Sequence, residues 1–333
     1  MVKSIIYQDH LSLDLVIKLL LQQHDQQTVI ELTRQYCLKT SSEDIKKKGM
    51  EFLYTNGLYR DLEVLIHKNM ASQFSSTREW AAAYQLMIDY HYRRYPHPQL
   101  LQKTNNFYTE EPALQCVLEF IKISIYYDLH EFERIGDFLA KQHYLFDKIE
   151  DRYLVASFRL RLYEYLFIYY WMRNELIMAR KYAFRVLNQT TNMMTKAHLH
   201  THLGLSYTFD TFDQGMYHLR KARDIAQNYQ LSILHLIEQK HIPFLAAHFK
   251  KTHKIETYNK REQAHLEIAK GNFRKACEIL KNVPMSDPFA LYYLGLAKED
   301  EQILLRSYNC FIEKRSDYFF GRLPLNALRS KKI

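Results

Sequence analysis

The sequence predicts an all-α protein, a tetratricopeptide-like right-handed superhelix of stacked helix pairs that forms a single domain over residues 1–333. Apolar residues recur at steps of three and four along most of the chain, whereas the alternation typical of strands is rare. Only 8 glycines and 7 prolines occur, and 47% of the residues are hydrophobic, so the turns must be short and the core large.

The first helices to be recognised are those with a clear apolar face. Two such faces are Leu58, Leu62, Leu65 and Ile66, and Phe273, Ala276, Cys277 and Leu280. Polar residues in capping positions predict further helix starts. These starts are Ser76 with Glu79, Asn259 with Glu262, and Asp287 followed by Pro288.

A short turn followed by an aromatic or aliphatic residue and an amphipathic helix recurs along the chain. It occurs at residues 56–59, 130–132, 174–176, 210–212 and 271–273. The interval from Leu176 to Phe212 approaches the roughly 34 residues of a tetratricopeptide unit. Stacked helix pairs of this kind bury their apolar faces against one another and leave a concave surface suited to peptides.

One irregular connection is expected between Tyr95 and Asn106, because Pro96 and Pro98 would interrupt a helix. We interpret this segment as a bend and not as a domain boundary. No Gly/Ser-rich or Pro-rich linker divides the sequence, which favours a single domain.

The sequence also predicts a cytoplasmic protein without membrane attachment. Residues 1–7 lack the apolar stretch of a signal peptide, and charges at Arg161 and Glu164 interrupt the apolar segment 160–172. The cysteines stand far apart, which is typical of neither a disulfide framework nor a zinc ribbon. They are Cys37, Cys116, Cys277 and Cys310.

The formal charge of +9 is spread over the whole chain, with small basic clusters at 46–48, 250–251 and 329–332. Such charge attracts phosphates non-specifically, but sequence recognition also needs an element that enters a groove. The charge pattern therefore gives little support to direct DNA binding.

No motif of enzymatic chemistry occurs: the sequence lacks a phosphate loop, a G-x-S-x-G elbow and an H-E-x-x-H pair. We expect neither an enzyme nor a bound cofactor. His198, His200 and His202 are the best metal candidates, since the first and last share a helical face. No carboxylate or cysteine lies beside them at ligand spacing, so no metal site is predicted.

Aromatic side chains crowd residues 163–171 and would surround much of a helix. They are Tyr163, Tyr165, Phe167, Tyr169, Tyr170 and Trp171. A packed core is the first interpretation. An aromatic wall facing a bound peptide is the alternative.

Three short motifs resemble the arbitrium receptors, the AimR-type regulators of phage lysis and lysogeny: Tyr36 to Leu38, Glu262 to His265, and Arg322 to Leu325. The similarity runs in order from about Tyr7 to Leu328. It implies a helical-repeat receptor for a short secreted signalling peptide of phage quorum sensing. The family's DNA-binding helix-turn-helix domain has no counterpart at the start of this sequence, so DNA binding does not carry over.

The resemblance also implies a peptide-binding site at Glu262, Asp317 and Phe319. Either acid could pair with a charged peptide group, and a carboxylate that faces an arginine gains charge-assisted hydrogen bonds. Each acid has a structural alternative. Glu262 fits the third position of a helix capped by Asn259, and Asp317 could be a solvated acid or a partner for Arg315.

The sequence departs from the family pattern at several positions. Ile168, Met172 and Leu205 stand where asparagines would hold the peptide backbone, and Met194 stands where an arginine is expected. Apolar side chains cannot replace those hydrogen bonds, so the peptide differs, binds weakly or has been lost. Residues 327–333 also lack the family's leucine-rich terminal helix, which leaves dimer formation open.

The leading hypothesis is a peptide-responsive regulator that binds a short peptide in its concave groove and acts through contacts with a protein partner. A DNA-binding transcriptional regulator of the same family is the second hypothesis. A helical-repeat scaffold for protein interactions without a small ligand is the third.

Overall fold

The structure is a computed structural model that describes residues 11–330. Every regular element in this range is a helix, so the predicted all-α class is confirmed for the described residues. Tyr7, the first residue of the predicted family similarity, and the last basic residues near the C-terminus lie outside them. None of the described helices is long and apolar enough to cross a membrane.

The chain divides into two compact units. The first comprises the residues up to Leu129 together with Arg134–Leu162 and Thr190–Asn192. The second comprises His130–Glu133, Tyr163–Gln189 and the residues from Met193 onward. The single domain expected over residues 1–333 stays a prediction.

The helices of the first unit follow one another with short turns. They are α1 (Leu13–Leu21), α2 (Gln26–Lys39), α3 (Glu43–Thr55), α4 (Tyr59–Met70), α5 (Ser75–His91), α6 (His97–Asn105), α7 (Pro112–Asp128) and α8 (Arg134–Phe146). α9 (Arg152–Met172) contributes residues to both units. Consecutive helices pack as pairs, with the most extensive contacts between α4 and α5 and between α7 and α8.

The second unit continues this pattern. Its helices are α10 (Leu176–Leu187), α11 (Met193–Ser206), α12 (Phe212–Asn228), α13 (Leu234–Leu236), α14 (Ile242–His248), α15 (Lys260–Ala269), α16 (Phe273–Leu280), α17 (Pro288–Lys298), α18 (Glu301–Arg315) and α19 (Arg322–Ser330). The pairs α11 with α12, α15 with α16 and α17 with α18 pack closely. The predicted stacking of consecutive helix pairs is therefore confirmed within each unit.

Four of the five predicted turns lead directly into a helix. α4, α10, α12 and α16 begin at Tyr59, Leu176, Phe212 and Phe273, each at the apolar residue that follows a predicted turn. Two of these turns use left-handed backbone at a glycine, with φ of 74° at Gly57 and 83° at Gly271. Of the predicted faces, Leu62, Leu65 and Ile66 are buried, whereas Phe273 is 42% exposed.

Two predictions of local structure were wrong. α5 begins at Ser75 with Phe74 in the capping position, and the Ser76 hydroxyl bonds Glu111 instead of capping the helix. The segment that follows Tyr95 is mostly helix α6, with Pro98 in its first turn. Proline is tolerated there because the first backbone N–H groups of a helix have no partner within it.

A buried ion pair lies at the centre of the first unit. Glu51 is fully buried on α3 and accepts hydrogen bonds from the Tyr84 hydroxyl at 2.5 Å, the Ser157 hydroxyl at 2.7 Å and Arg161 Nη1 at 3.0 Å. The Arg161 guanidinium also stacks over the Phe120 ring, 4.1 Å from its centroid. A charge removed from water in this way needs such partners, because an unpaired buried charge is costly.

In the second unit, α11 and α12 approach each other at two glycines. A Cβ on Gly204 would lie 2.7 Å from Leu219 and 2.9 Å from the carbonyl oxygen of Gly215. A Cβ on Gly215 would lie equally close to the Gly204 carbonyl oxygen. The close approach of the two backbones therefore depends on the absence of a side chain at both positions.

We expect Gly204→Ala to lower the free energy of unfolding by about 1–3 kcal/mol, because the added methyl group forces α11 and α12 apart. Urea denaturation measures this change. Gln227→Ala, at an exposed position of α12, is the matched control and should change stability by less than about 0.5 kcal/mol. Equal stabilities of the Gly204→Ala variant and the native protein would show that the helix pair is not tightly packed.

Candidate functional site

The segment that carries Asp317 and Phe319 follows α18 and is fixed by backbone hydrogen bonds. α18 ends at Arg315, and the next residue, Ser316, turns the chain sharply with a φ of 51°. The N–H groups of Tyr318 and Phe319 then donate to the carbonyl oxygen of Met172 at 2.9 and 3.1 Å. These donors satisfy a carbonyl at the C-terminal end of α9 that has no partner within the helix.

Phe319 lies in an aromatic core. Its side chain is fully buried and packs against Trp171 and Phe209, with ring centroids 5.7 and 5.1 Å away. The neighbouring ring of Phe320 contacts Trp171 as well. Phe319 therefore supports the structure around Asp317, and a role as a ligand wall would need these rings to separate.

Asp317 is buried, so the alternative of a solvated surface acid is wrong. Its Oδ1 accepts the backbone N–H of Phe320 at 2.8 Å, which closes the turn before α19. Burial raises the pKa of the Asp317 carboxyl to about 7, although the Phe320 N–H and Arg315 favour the charged form. The carboxyl therefore changes its charge near neutral pH.

The raised pKa predicts a pH-dependent stability. Because the folded protein holds the Asp317 proton more tightly than the unfolded chain does, the stabilising contribution is complete below about pH 4 and is lost as pH rises toward 7. We expect the native protein to lose at least about 1 kcal/mol relative to Asp317→Asn between pH 4.5 and 7.5. Urea denaturation at both pH values tests this, and parallel changes in the two proteins would contradict it.

Glu262 is fully buried in the first turn of α15, with its charge satisfied inside the protein. The Asn259 side chain accepts the Glu262 N–H at 3.3 Å, so the predicted cap is confirmed. Glu262 Oε1 accepts from Nε and Nη2 of Arg261 at 2.8 and 2.6 Å, and Oε2 accepts from the Tyr293 hydroxyl at 3.1 Å. Burial acts to raise the Glu262 pKa, but Arg261 and His265 outweigh it and hold the pKa below its ordinary value.

Arg261 links Glu262 to a second acid. Its Nη1 lies 2.5 Å from Asp287 Oδ2, and Arg315 Nη2 lies 3.3 Å from Asp287 Oδ1. Asp287 precedes Pro288 at the predicted start of α17, but its carboxylate makes no capping bond because it binds the two arginines. Arg261, Glu262, Asp287 and Arg315 are called the charged cluster below.

The charges of this cluster act on Lys240. Burial, followed by Arg261, lowers the pKa of the Lys240 ammonium to about 8, whereas Glu262 and Asp287 oppose the change. Lys240 is partly exposed, and no carboxylate of residues 11–330 lies within ion-pair distance of its Nζ. It is therefore a cation without an ion-pair partner among the described residues.

An irregular helical turn holds Lys240. Ile237–His241 form a π-helical turn between α13 and α14. Pro243 explains it, because proline has no N–H to bond the Gln239 carbonyl four residues earlier and its ring crowds that oxygen. The Thr257 hydroxyl donates to the Gln239 carbonyl instead, at 2.6 Å. Such turns occur often at functional sites.

The residues that replace the family's expected asparagines do not offer polar groups. Ile168, Met172 and Leu205 are between 4% and 7% exposed, and Met194 packs against an apolar cluster around Ile237. Their side chains contribute to the interior of the second unit. The hydrogen bonds expected from the family pattern cannot come from these four positions.

The aromatic side chains of α9 fit the packed-core interpretation in part and the ligand-wall interpretation in part. Phe167 and Trp171 are buried, whereas Tyr163 and Tyr170 are partly exposed and pack against Tyr182 with centroid distances of 5.5 and 5.7 Å. Part of the segment is core. The partly exposed tyrosines keep the alternative of a ligand wall open.

The three histidines of the metal hypothesis point to different neighbours. His200 Nδ1 lies 2.9 Å from His218 Nδ1, and His202 is enclosed by Phe167 and Trp171. Burial, followed by His198, lowers the pKa of His202 to about 3. Residues 11–330 contain no group of three or more potential ligands that could hold a metal ion.

A model of the AimR transcriptional regulator-like family matches residues 29–330. An uncharacterized protein of Bacillus anthracis, pXO2-35, is 25% identical over 234 residues, which cover 66% of this chain and 85% of that protein. The solved structure of phAimR with a ligand is 19% identical, covers 96% of this chain and 98% of its own, and has a TM-score of 0.78. Selenomethionine phAimR, also 19% identical, covers 96% and 85% with a TM-score of 0.66.

The chain belongs to the AimR transcriptional regulator-like family. The resemblance recognised from the three short sequence motifs is thereby confirmed. The two structural matches show the fold and confirm the predicted helical-repeat class.

Proposed function

We propose that this protein is a peptide-responsive regulator, which binds a short peptide in its second unit and acts through contacts with a protein partner. Family membership supports the class of regulator. The observation that carries the proposal is the charged cluster itself. Four ionised side chains converge there, which is unusual for a purely structural interior.

The proposed peptide site includes Glu262, Asp317 and Phe319. Asp317 and Arg315 lie at the end of α18, and Arg315 joins Asp317 to the charged cluster through Asp287. A peptide group that displaces or extends these ion pairs would change the contacts between α15, α17 and α18. Peptide binding would then alter the surface offered to a partner through its different affinity for the two arrangements.

Thermal denaturation in the presence of short peptides tests this function, because a ligand that binds only the folded state stabilises it by mass action. The panel contains hexapeptides that carry an arginine, a glutamate or neither. A binder at a hundred times its Kd should add about 2.7 kcal/mol of stability. Asp317→Asn should weaken the effect, while Asp213→Asn, at an exposed side chain of the same unit, should leave it unchanged.

The family description supports a second candidate function, that of a DNA-binding transcriptional regulator. A salt-sensitive mobility shift of promoter DNA by the purified protein would support that function. Thermal stability unchanged by every peptide, together with capture of a protein partner, would instead favour a repeat scaffold without a small ligand.

A further inference from the structure

We propose that an open cavity beneath α19 binds a phenol, an aromatic ring with one hydroxyl, through hydrogen bonds to Tyr292 and His265. Neither residue belongs to the proposed peptide site, so the proposal stands apart from the peptide-responsive function. Two observations carry it. The cavity has a largely apolar and aromatic lining, and its wall holds two buried polar side chains that lack hydrogen-bond partners among the described residues.

The cavity lies in the second unit, between α19 and the ends of four other helices. It measures about 520 Å³ and is open to solvent. Three of the lining residues on α14, α15 and α19 are alanines, Ala247, Ala269 and Ala327, which leave space that larger side chains would fill. Protein interiors hold few voids larger than a water molecule, so space of this size is available to a ligand.

Aromatic rings form much of the lining. They belong to Phe209, His248, His265, Phe273 and Tyr292. Phe209 and His248 already meet edge to face, with ring centroids 5.7 Å apart. The Phe273 ring is 42% exposed and contacts no other ring of the described residues, which leaves it available to pack against a ligand. Ring pairs add stabilisation beyond the area that they bury, so this lining favours an aromatic ligand over an alkyl chain.

Tyr292 supplies the first polar group. It is 7% exposed, and its hydroxyl forms no hydrogen bond with any residue in the described part of the chain. Unlike Trp171 Nε1, which is unpaired and closed to solvent, the Tyr292 hydroxyl is reached through the cavity that its ring lines. Burial raises the Tyr292 pKa, so the hydroxyl keeps its proton and can donate it to a hydrogen bond. A ligand that supplies the missing partner is therefore favoured.

His265 supplies the second polar group and is 3% exposed. Its Nδ1 lies 3.8 Å from Glu262 Oε2, beyond hydrogen-bond distance, and has no other partner in residues 11–330. Burial lowers the pKa of His265, so the imidazole is neutral. The single ring proton is best placed on Nδ1, which faces the Glu262 carboxylate, and this leaves Nε2 as an acceptor for a ligand.

Tyr293 holds these two groups close together. Its ring centroid lies 4.2 Å from that of His265 and 5.6 Å from that of Tyr292. The Tyr293 hydroxyl itself is already used, since it donates to Glu262 Oε2 at 3.1 Å. A phenol hydroxyl both donates and accepts hydrogen bonds. It therefore suits this pair, donating to His265 Nε2 and accepting from the Tyr292 hydroxyl.

The charge of the lining favours a neutral ligand. Its ionised residues are Lys250 and Glu299, both exposed, and neither forms an ion pair with a described residue. Their opposite charges favour neither an anion nor a cation. Burial, followed by His265, lowers the pKa of His248 to about 4, so this imidazole is neutral as well. Both a tyrosine side chain of a peptide and a free small phenol have the required chemistry.

Titration with two probes of the same shape tests the site. p-Cresol carries a hydroxyl where p-xylene carries a methyl group, and saturation-transfer NMR gives the Kd of each. A purely apolar cavity would bind p-xylene more tightly, because p-cresol gives up hydrogen bonds to water on entry. We expect the native protein to bind p-cresol at least about threefold more tightly than p-xylene.

Tyr292→Phe removes one hydroxyl from the wall and keeps the ring. It should reduce the preference for p-cresol about three- to tenfold. Tyr229→Phe, at a tyrosine of the same unit that is 55% exposed, is the matched control and should leave the preference unchanged. Phe273→Ala should weaken both probes by a similar factor, because it removes an apolar part of the wall. Thermal denaturation checks that each variant is folded.

Capped pentapeptides with a central tyrosine or phenylalanine between glycines identify the source of the phenol. A tyrosine preference that Tyr292→Phe reduces would place a peptide side chain in the cavity, whereas a preference shown by p-cresol alone would indicate a free phenol. Binding of p-xylene at least as tight as that of p-cresol, a preference unchanged in Tyr292→Phe, or binding of no probe would overturn the phenol site. The proposed peptide function would stand in each case, because it rests on the charged cluster.

Discussion

Arg161→Met is expected to lower the free energy of unfolding by about 3–5 kcal/mol, the usual cost of removing one partner from a buried ion pair. Glu51 would remain fully buried with only the hydroxyls of Tyr84 and Ser157 to stabilise its charge. Methionine preserves much of the side-chain volume, so the loss reports mainly the charge. Urea denaturation followed by circular dichroism measures the effect.

A matched control for this substitution is available on the surface. Arg173 Nε lies 3.2 Å from the Glu175 carboxylate, and both side chains are about half exposed. Arg173→Met should therefore change the free energy of unfolding by about 0–1 kcal/mol. The double variant Glu51→Gln with Arg161→Met should recover part of the lost stability, because no unpaired charge remains buried. Losses of similar size in the two single variants would refute the central role of the buried pair.

Glu262→Ala is the second large effect, and we expect it to cost about 3–5 kcal/mol as well. Arg261 would lose two of its hydrogen bonds and the Tyr293 hydroxyl would lose its acceptor. Arg261 is only 14% exposed at its side chain, so water cannot fully replace those partners. Denaturation in urea again gives the measurement.

The matched control is Glu278→Ala on α16. Glu278 also pairs with a basic residue, Lys281, at 2.7 Å, but both side chains are more than half exposed, and a change of at most about 1 kcal/mol is expected. A Glu262→Ala variant as stable as the Glu278→Ala variant would mean that Glu262 is free to serve a ligand. A marked loss of stability would mean that loss of peptide binding in this variant cannot by itself locate the peptide site.

Local chain signals predicted much of the fold. A turn followed by an apolar residue marked the start of four helices, because left-handed turn backbone and an amphipathic helix are both encoded by neighbouring residues. The cap at Asn259 was predictable for the same reason. Pro98 misled the prediction, since its effect depends on whether it stands in the first turn of a helix or within it.

The candidate site was only partly predictable. The family resemblance proposed Glu262 and Asp317 as site residues, but it did not indicate their partners within the protein. Arg261 is adjacent to Glu262, and neighbouring residues on a helix usually point in different directions, so the pair depends on a long side chain that bends back. Asp287 reaches the arginines from another helix. Such a meeting depends on tertiary packing, for which spacing along one sequence gives no signal.

The sequence contains an indirect signal for the disturbed helical turn that holds Lys240. Pro243 lies inside an apolar helical stretch, and a proline there predicts a disturbed turn over the preceding residues. The disturbance takes the form of a π-helical turn. The sequence around Pro243 does not show that Lys240 lacks an ion-pair partner among the described residues. Whether a carboxylate lies near the lysine depends on how the surrounding helices pack.

The hydrogen bonds from Tyr318 and Phe319 to Met172 have a consequence for the order of events during protein synthesis. The end of α9 leaves the ribosome long before Tyr318 and Phe319 do, so its final carbonyl has no partner until nine further helices, α10 to α18, have been synthesised. Arg322, which donates to the Asn174 side chain at 2.9 Å, arrives later still. Contacts so distant in sequence close large loops and form slowly. In a nascent chain the proposed peptide site would therefore be complete only near the end of translation.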